Sequence, residues 1–213
     1  PSDAGLEAVI YAGLASKEAD AATKAALMQK ANEKLAVVKA AKDDTLDWDS
    51  EFAKASSGAA ELQAKADAGP SNDNIVALKK QVAANKEDTT ALFNLAMAYQ
   101  EVGNWDGAAL AWQKMNDLLP TWEPAYYSKG YALQQAGYKE LAAVAFQKYI
   151  DVALTKTPAE QQALQETLFG AYYSVAYLLH TTDKVKANEA LQKALAMKPN
   201  DKNSLLLQKE LMK

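Results

Sequence analysis

Residues 89–122 read TTALFNLAMAYQEVGNWDGAALAWQKMNDLLPTW, and the placing of small and large apolar side chains in this stretch decides the fold. Leu92, Leu95, Ala96 and Tyr99 recur at the steps of three and four that put side chains on one helix face. Gly103 interrupts the run, Ala108, Trp112 and Met115 resume it, and Pro120 stops it, so the stretch predicts two helices joined by a tight turn. Counting Thr89 as position 1, it carries Leu92 at 4, Ala96 at 8, Tyr99 at 11, Ala108 at 20, Trp112 at 24, Met115 at 27 and Pro120 at 32. Stepping on by 34 residues gives Tyr126 at 4, Gly130 at 8, Leu133 at 11, Gly137 at 15, Ala142 at 20, Phe146 at 24 and Tyr149 at 27. Leu154 replaces the terminal proline, so the second helix is expected to run on slightly before Thr157. A third unit, anchored on Pro199, places Ala171, Val175, Leu178, Ala187, Leu191 and Ala194 at positions 4, 8, 11, 20, 24 and 27. It needs an insertion of 11 residues, assigned to a long helix from about Pro158 to about Leu179 that opens on the capping box Thr157-Pro158-Ala159-Glu160.

A 34-residue helix-turn-helix unit with this distribution resembles the tetratricopeptide repeat, with about three units in residues 85–213. The resemblance implies an all-α fold, a right-handed superhelical solenoid of antiparallel helix hairpins. Units are expected at about 89–122, 123–157 and 158–200, with a capping helix at 201–213. The physical logic is close pairing: Ala96 faces Ala108 and Gly130 faces Ala142, and neither seam has room for bulk. Large residues at positions 4, 11 and 24 fill the space between hairpins, so each unit buries its neighbour. The resemblance hardly touches residues 1–84, which read as an Ala-rich helical segment. Helices are expected there at about Asp3 to Ser16, Lys17 to Lys42, Leu46 to Ala68 and Asn74 to Ala84, with 31–44 and 74–85 as candidate degenerate repeats.

Composition narrows the chemistry. The chain has 213 residues, 49% of them hydrophobic, and 15 of its 18 aromatic residues lie between Phe93 and Tyr177. All 23 basic residues are Lys against 27 acidic ones, a formal charge of −4, so a phosphate-binding surface is not expected and nucleic acid is not a predicted partner. With no Cys and one His, His180, there is no disulfide, thiolate nucleophile or multi-histidine metal site. Asp43, Asp44, Asp47, Asp49 and Glu51 form an acidic cluster without the loop glycine and distal Glu of a calcium-binding EF-hand, and they read as a solvated helix–helix corner. No phosphate loop, nucleophile elbow or zinc-protease motif is present, and neither an enzymatic activity nor a cofactor or metal is predicted. No apolar run reaches the length of a membrane span. The absence of Cys and the start at Pro1 lean toward an exported or periplasmic bacterial protein, with a cytoplasmic one as the alternative.

In tetratricopeptide proteins positions 2, 5, 9, 12 and 13 of each unit point into a concave partner-binding surface. Carried over, the resemblance puts Thr90, Phe93, Met97, Gln100 and Glu101 there, then Pro124, Tyr127, Tyr131, Gln134 and Gln135, then Phe169, Tyr172, Ala176, Leu179 and His180. Position 5 is aromatic throughout, whereas chaperone-binding members carry Lys, Asn and Arg to clamp a terminal carboxylate, so that mode is not expected here. The sequence-stretch reading is therefore a non-enzymatic scaffold that binds another protein or peptide. An apolar or amphipathic segment would lie on Phe93, Met97, Gln100, Tyr127, Tyr131, Gln134 and Tyr172. The alternative is a self-assembling structural protein, a homo-oligomer, whose groove is filled by its own N-terminal helices or by a second copy.

Overall fold

A computed structural model describes residues 3–15, 21–42, 48 and 62–212, and among these there are helices and turns but no strand. The chain divides into two compact units, residues 1–68 and residues 69–213. In the first, α1 (Asp3–Ala15) and α2 (Ala21–Ala40) pack together. Ala8, Ala12 and Ala15 recur at i, i+4 and i+7 and are buried, as are Ala31, Leu35 and Val38 of α2. The small side chains let the pair approach closely, and the Trp48 ring lies so near α1 that a Cβ on Gly5 would sit 2.5 Å from it. Residues 62–68 form a short helix, α3. The acidic cluster and most of the helix expected between Leu46 and Ala68 lie outside the described residues.

The second unit contains α4 (Asp73–Ala84), α5 (Thr89–Glu101), α6 (Trp105–Leu118), α7 (Glu123–Gln135), α8 (Lys139–Leu154), α9 (Pro158–Ala163), α10 (Gln165–Leu179), α11 (Lys184–Met197) and α12 (Lys202–Leu211). It begins at Gly69 rather than near residue 85, because Ile75, Leu78 and Val82 of α4 join the same core as α5. Short polar residues start most of these helices by accepting a bond from the backbone N–H three residues on. Asn72, Asp88, Asn104, Asp183 and Asp201 do so at 2.8–3.0 Å. Thr157 and Glu160 form the expected reciprocal capping box.

Helices α5 and α6, α7 and α8, and α10 and α11 form three hairpins; α6 packs on α7 and α8 on α10, which makes the unit a solenoid. The residues at positions 8, 11, 20, 24 and 27 of all three hairpins are buried, as are Leu92 and Ala171 at position 4, where Tyr126 is half-buried. The second helix of each hairpin starts after position 16, occupied by Asn104, Tyr138 and Asp183 in turn. The first two turns are alike: Gly103 and Gly137 adopt φ of 76° and 89°, and the N–H groups of Asn104 and Tyr138 reach back to the carbonyls of Tyr99 and Leu133. A left-handed residue followed by this six-to-one bond is the Schellman ending, which favours glycine. The third turn has no left-handed residue; Asp183 N–H bonds Leu179 instead, so Thr182 serves where glycine stood.

One expected helix is divided. The run predicted from Pro158 to Leu179 is α9 and α10, separated at Leu164, whose N–H is shared between the carbonyls of Glu160 and Gln161. The reason is burial: α9 has no buried residue, while Leu164 and Leu168 begin the stripe that packs on the core. The inserted turn therefore follows its own cap and not the axis of α10. The last helix, α12, occupies the start of a fourth period, with Leu205 and Met212 at positions 4 and 11 and Lys209 at position 8. Its Ser204 and Leu207 are buried against the array, and Leu205, Leu206 and Met212 are exposed.

The closeness of the hairpins gives a direct test. A Cβ on Gly107 would lie 2.7 Å from the buried Tyr99 ring. Alanine would ordinarily strengthen a helix by about 1 kcal/mol over glycine; here Gly107→Ala is expected to destabilise by about 1–3 kcal/mol through overpacking. The shift of the urea unfolding midpoint reads the sign.

Candidate functional site

The residues assigned to the concave face sit on α5, α7 and α10, and their surroundings differ. On α5, Phe93 and Met97 are 39% and 45% exposed, large values for apolar side chains. Phe93 is not free-standing: its ring meets Trp112 edge-on at 5.5 Å and lies 6.3 Å from Trp122. Met97 and Gln100, with Asn74, Leu78, Asn94, Ala98 and Glu101, line an open cleft of about 600 Å³ between α4 and α5. On α7, Tyr131 is 42% exposed and rests edge-on against Trp105 at 5.6 Å. Gln134 is half-buried beside it in the sequence of the same helix, and Gln135 is exposed.

Tyr127 and Tyr172 are set deeper. The Tyr127 ring contacts Phe146 at 5.3 Å and Tyr149 at 5.2 Å, and a Cβ on Gly170 of α10 would be 3.3 Å from its hydroxyl. It is thus a wedge between the second and third hairpins as well as a half-exposed surface. Burial pushes the phenols of Tyr127 and Tyr172 above their ordinary range, with Tyr131 and Asp151 adding to the respective shifts. Tyr149, behind Tyr127, donates a 2.7 Å hydrogen bond to Thr167 across the same hairpin boundary. Thr90 is exposed and Pro124 half-buried; on α10, Phe169 lies 4.3 Å below the Lys198 ammonium, Ala176 is buried, and Leu179 and His180 are half-buried. His180 Nδ1 lies 2.6 Å from the carbonyl of Tyr177, whose ring it stacks on at 5.7 Å.

Two features were not read from the sequence. Trp112, Trp122 and Phe93 form one ring cluster across α5, α6 and the start of α7, which the repeat positions alone did not reveal. Lys129 of α7 packs against α6, where it donates to Gln113, which in turn donates to Asp117 at 2.6 Å. Leu95 and Lys129 are equivalent by the 34-residue period, so a charge stands where the first hairpin has a buried leucine. Desolvation pulls the Lys129 ammonium from 10.5 to about 8, with Asp117 opposing the fall. Among the described residues no group of three His, Cys, Asp or Glu side chains is placed to hold a metal ion, and no helix is long and apolar enough to cross a membrane.

No family model matches the chain, and no curated protein matches it. The solved structures that the chain resembles include the following two. The C-terminal part of a TPR repeat-containing protein from Cytophaga hutchinsonii shares 22% identity over 86% of this chain and 68% of its own, with a TM-score of 0.52. The crystal structure of MamA shares 22% identity over 65% of this chain and 84% of its own, with a TM-score of 0.47. The three hairpins and the first of these likenesses define the fold as an all-helical repeat solenoid. It is of the tetratricopeptide type.

The Lys129 site predicts a pH dependence. A lysine whose folded pKa lies below its unfolded one weakens the fold while charged in both states, and the penalty is lifted as pH rises from about 8 toward 10.5. The tyrosines with raised pKa oppose this above pH 10. Urea stability is expected to increase by about 1–2 kcal/mol between pH 7.5 and 9.5, and Lys129→Met should abolish the slope.

Proposed function

We propose that the protein is a non-enzymatic scaffold that holds an apolar or amphipathic segment of another protein on the inner faces of α5, α7 and α10. The observation that carries the reading is the exposure of Phe93 and Met97 on α5 and of Tyr131 on α7, three large side chains, none of them charged. Their rings and thioether offer wide contact area at small rotamer cost, and Phe93 and Tyr131 are held in place by Trp112 and Trp105 behind them. Gln100, Gln134 and Tyr172, half-buried on the same three helices, would supply the hydrogen-bonding groups of a polar rim. A helix presenting apolar residues at i, i+3, i+4 and i+7 is the complementary shape. The expected affinity is near micromolar, about −8 kcal/mol.

The best test avoids Tyr127, because its contacts with Phe146 and Tyr149 make it part of the core. Peptides selected on the wild-type protein from a random 16-residue library should carry the helical apolar spacing. Met97→Glu combined with Tyr131→Glu should weaken them by at least about tenfold while far-UV circular dichroism is unchanged. Unaltered binding to the double variant would remove the groove reading.

A second reading, assembly of the protein with itself, is favoured by one observation: α12 exposes Leu205, Leu206 and Met212, an apolar patch that a second copy would cover. Association through this end predicts a sedimentation coefficient that rises with protein concentration and ceases to rise in Leu206→Lys with Met212→Lys.

A further inference from the structure

The open cleft between α4 and α5 has a charge character that the rest of the candidate face lacks. Its volume of about 600 Å³ is that of a small-ligand site. Met97 and Gln100 line it and are also residues of the candidate face, so cleft and face adjoin. Among the residues that line it, the exposed Glu101 at the end of α5 is alone in carrying a charge. No ammonium of the described residues pairs with this carboxylate. Asn74, Asn94 and Gln100 supply carboxamides, and Leu78 and Met97 supply apolar surface. Lys79 and Lys80 of α4 line a separate cleft with Val76 and Ala83.

Electrostatics decide what such a cleft takes. Asn74 is the second residue of α4 and Glu101 the last of α5, so the positive end of one helix dipole and the negative end of the other meet here and oppose each other. The sign is then left to Glu101, with Asp73 next to Asn74 adding to it. The carboxamide oxygens accept from N–H donors of a cation. A long cationic side chain answers both kinds of surface, its methylene stem against Leu78 and Met97 and its head at Glu101. A carboxylate meets a like charge, and an aliphatic side chain makes no use of Glu101. We propose that this cleft receives a Lys or Arg side chain of the segment bound on the candidate face, paired with Glu101. This rests on the groove reading above and adds a charge requirement to it.

The test follows the ¹³C-labelled methyl group of Met97 in the full chain, its signal assigned by Met97→Leu. n-Butylguanidinium is the probe, with pentanoate and pentanol as anionic and neutral controls. The methyl signal should shift saturably with butylguanidinium and more weakly with either control. Glu101→Gln, an isosteric change at an exposed position, should lower the affinity at least about threefold, as befits one partly exposed ion pair, and Glu101→Lys should turn the preference toward pentanoate. Peptides selected on the wild-type protein should carry Lys or Arg at a fixed offset from their apolar spacing, and those selected on Glu101→Gln should lose that preference. A silent methyl signal, an equal response to a control, or a response to butylguanidinium that Glu101→Gln leaves unchanged overturns the proposal. A charge-dependent response in a protein that selects no peptides keeps the cation preference of the cleft and removes the groove reading; apolar peptides selected without regard to Glu101 do the reverse.

Discussion

The structure depends on how closely two helix backbones approach within a hairpin. Position 8 of the first helix and position 20 of the second carry Ala96 with Ala108, Gly130 with Ala142, and Val175 with Ala187, all buried. Small residues there set the separation, and the larger ones at positions 11, 24 and 27 then fill what remains. A Cβ added to Gly130 would meet three atoms of the Phe146 ring at 3.0 Å. Because interiors are packed as densely as organic crystals, that margin is felt by every neighbour. Tyr127 inherits its position from this ring and passes it on to α10, and Tyr149 reaches Thr167 across the same boundary. The hairpin seam and the candidate binding face are thus one mechanical system.

Polar contacts tie successive turns together on the same period. Asn104, while capping α6, donates from Nδ2 to the carbonyl of Pro70, which lies 34 residues earlier. Tyr138, which has no side-chain cap bond of its own to give α8, donates instead to Asp106 at 2.9 Å. Glu123 and Lys156 pair at 2.8 Å at the two ends of the second hairpin, and this bond holds the Lys156 ammonium above its ordinary range. Such bonds fix register more than they add stability, since partly exposed ion pairs contribute little.

Most of the solenoid was legible because its constraint is written in residue size at fixed spacing. Even the third hairpin, where no glycine marks the turn, was placed by Ala171, Ala187, Ala194 and Pro199, and Asp183 caps α11 at the same repeat position as Asn104 caps α6. What the sequence hid has a different origin. The break at Leu164 reflects the absence of anything for α9 to pack on, a tertiary fact that the periodicity of 158–179 does not contain. Helix α4 was read as a helix and residues 74–85 only as a candidate degenerate repeat, because Ile75, Leu78 and Val82 give it a buried face without the small-residue signature. Of the candidate face, the exposure of Phe93, Met97 and Tyr131 followed from repeat position, whereas the wedge role of Tyr127 depends on ring contacts with α8. The burial of Lys129 and of the Asn116 amide was invisible because burial of a polar group is set by neighbours and not by its own identity.

Helix α12 is a half-hairpin in register with the others. Leu205 and Met212 stand where the first three units offer apolar positions to a second helix, yet Lys209 occupies the site that is Ala, Gly or Val in each of them. A helix arriving to complete the hairpin would press its backbone onto an ammonium and a four-carbon stem. The consequence is one of spacing: any helix laid on this face would sit farther out than its counterparts in the three hairpins, by the reach of one long cationic side chain.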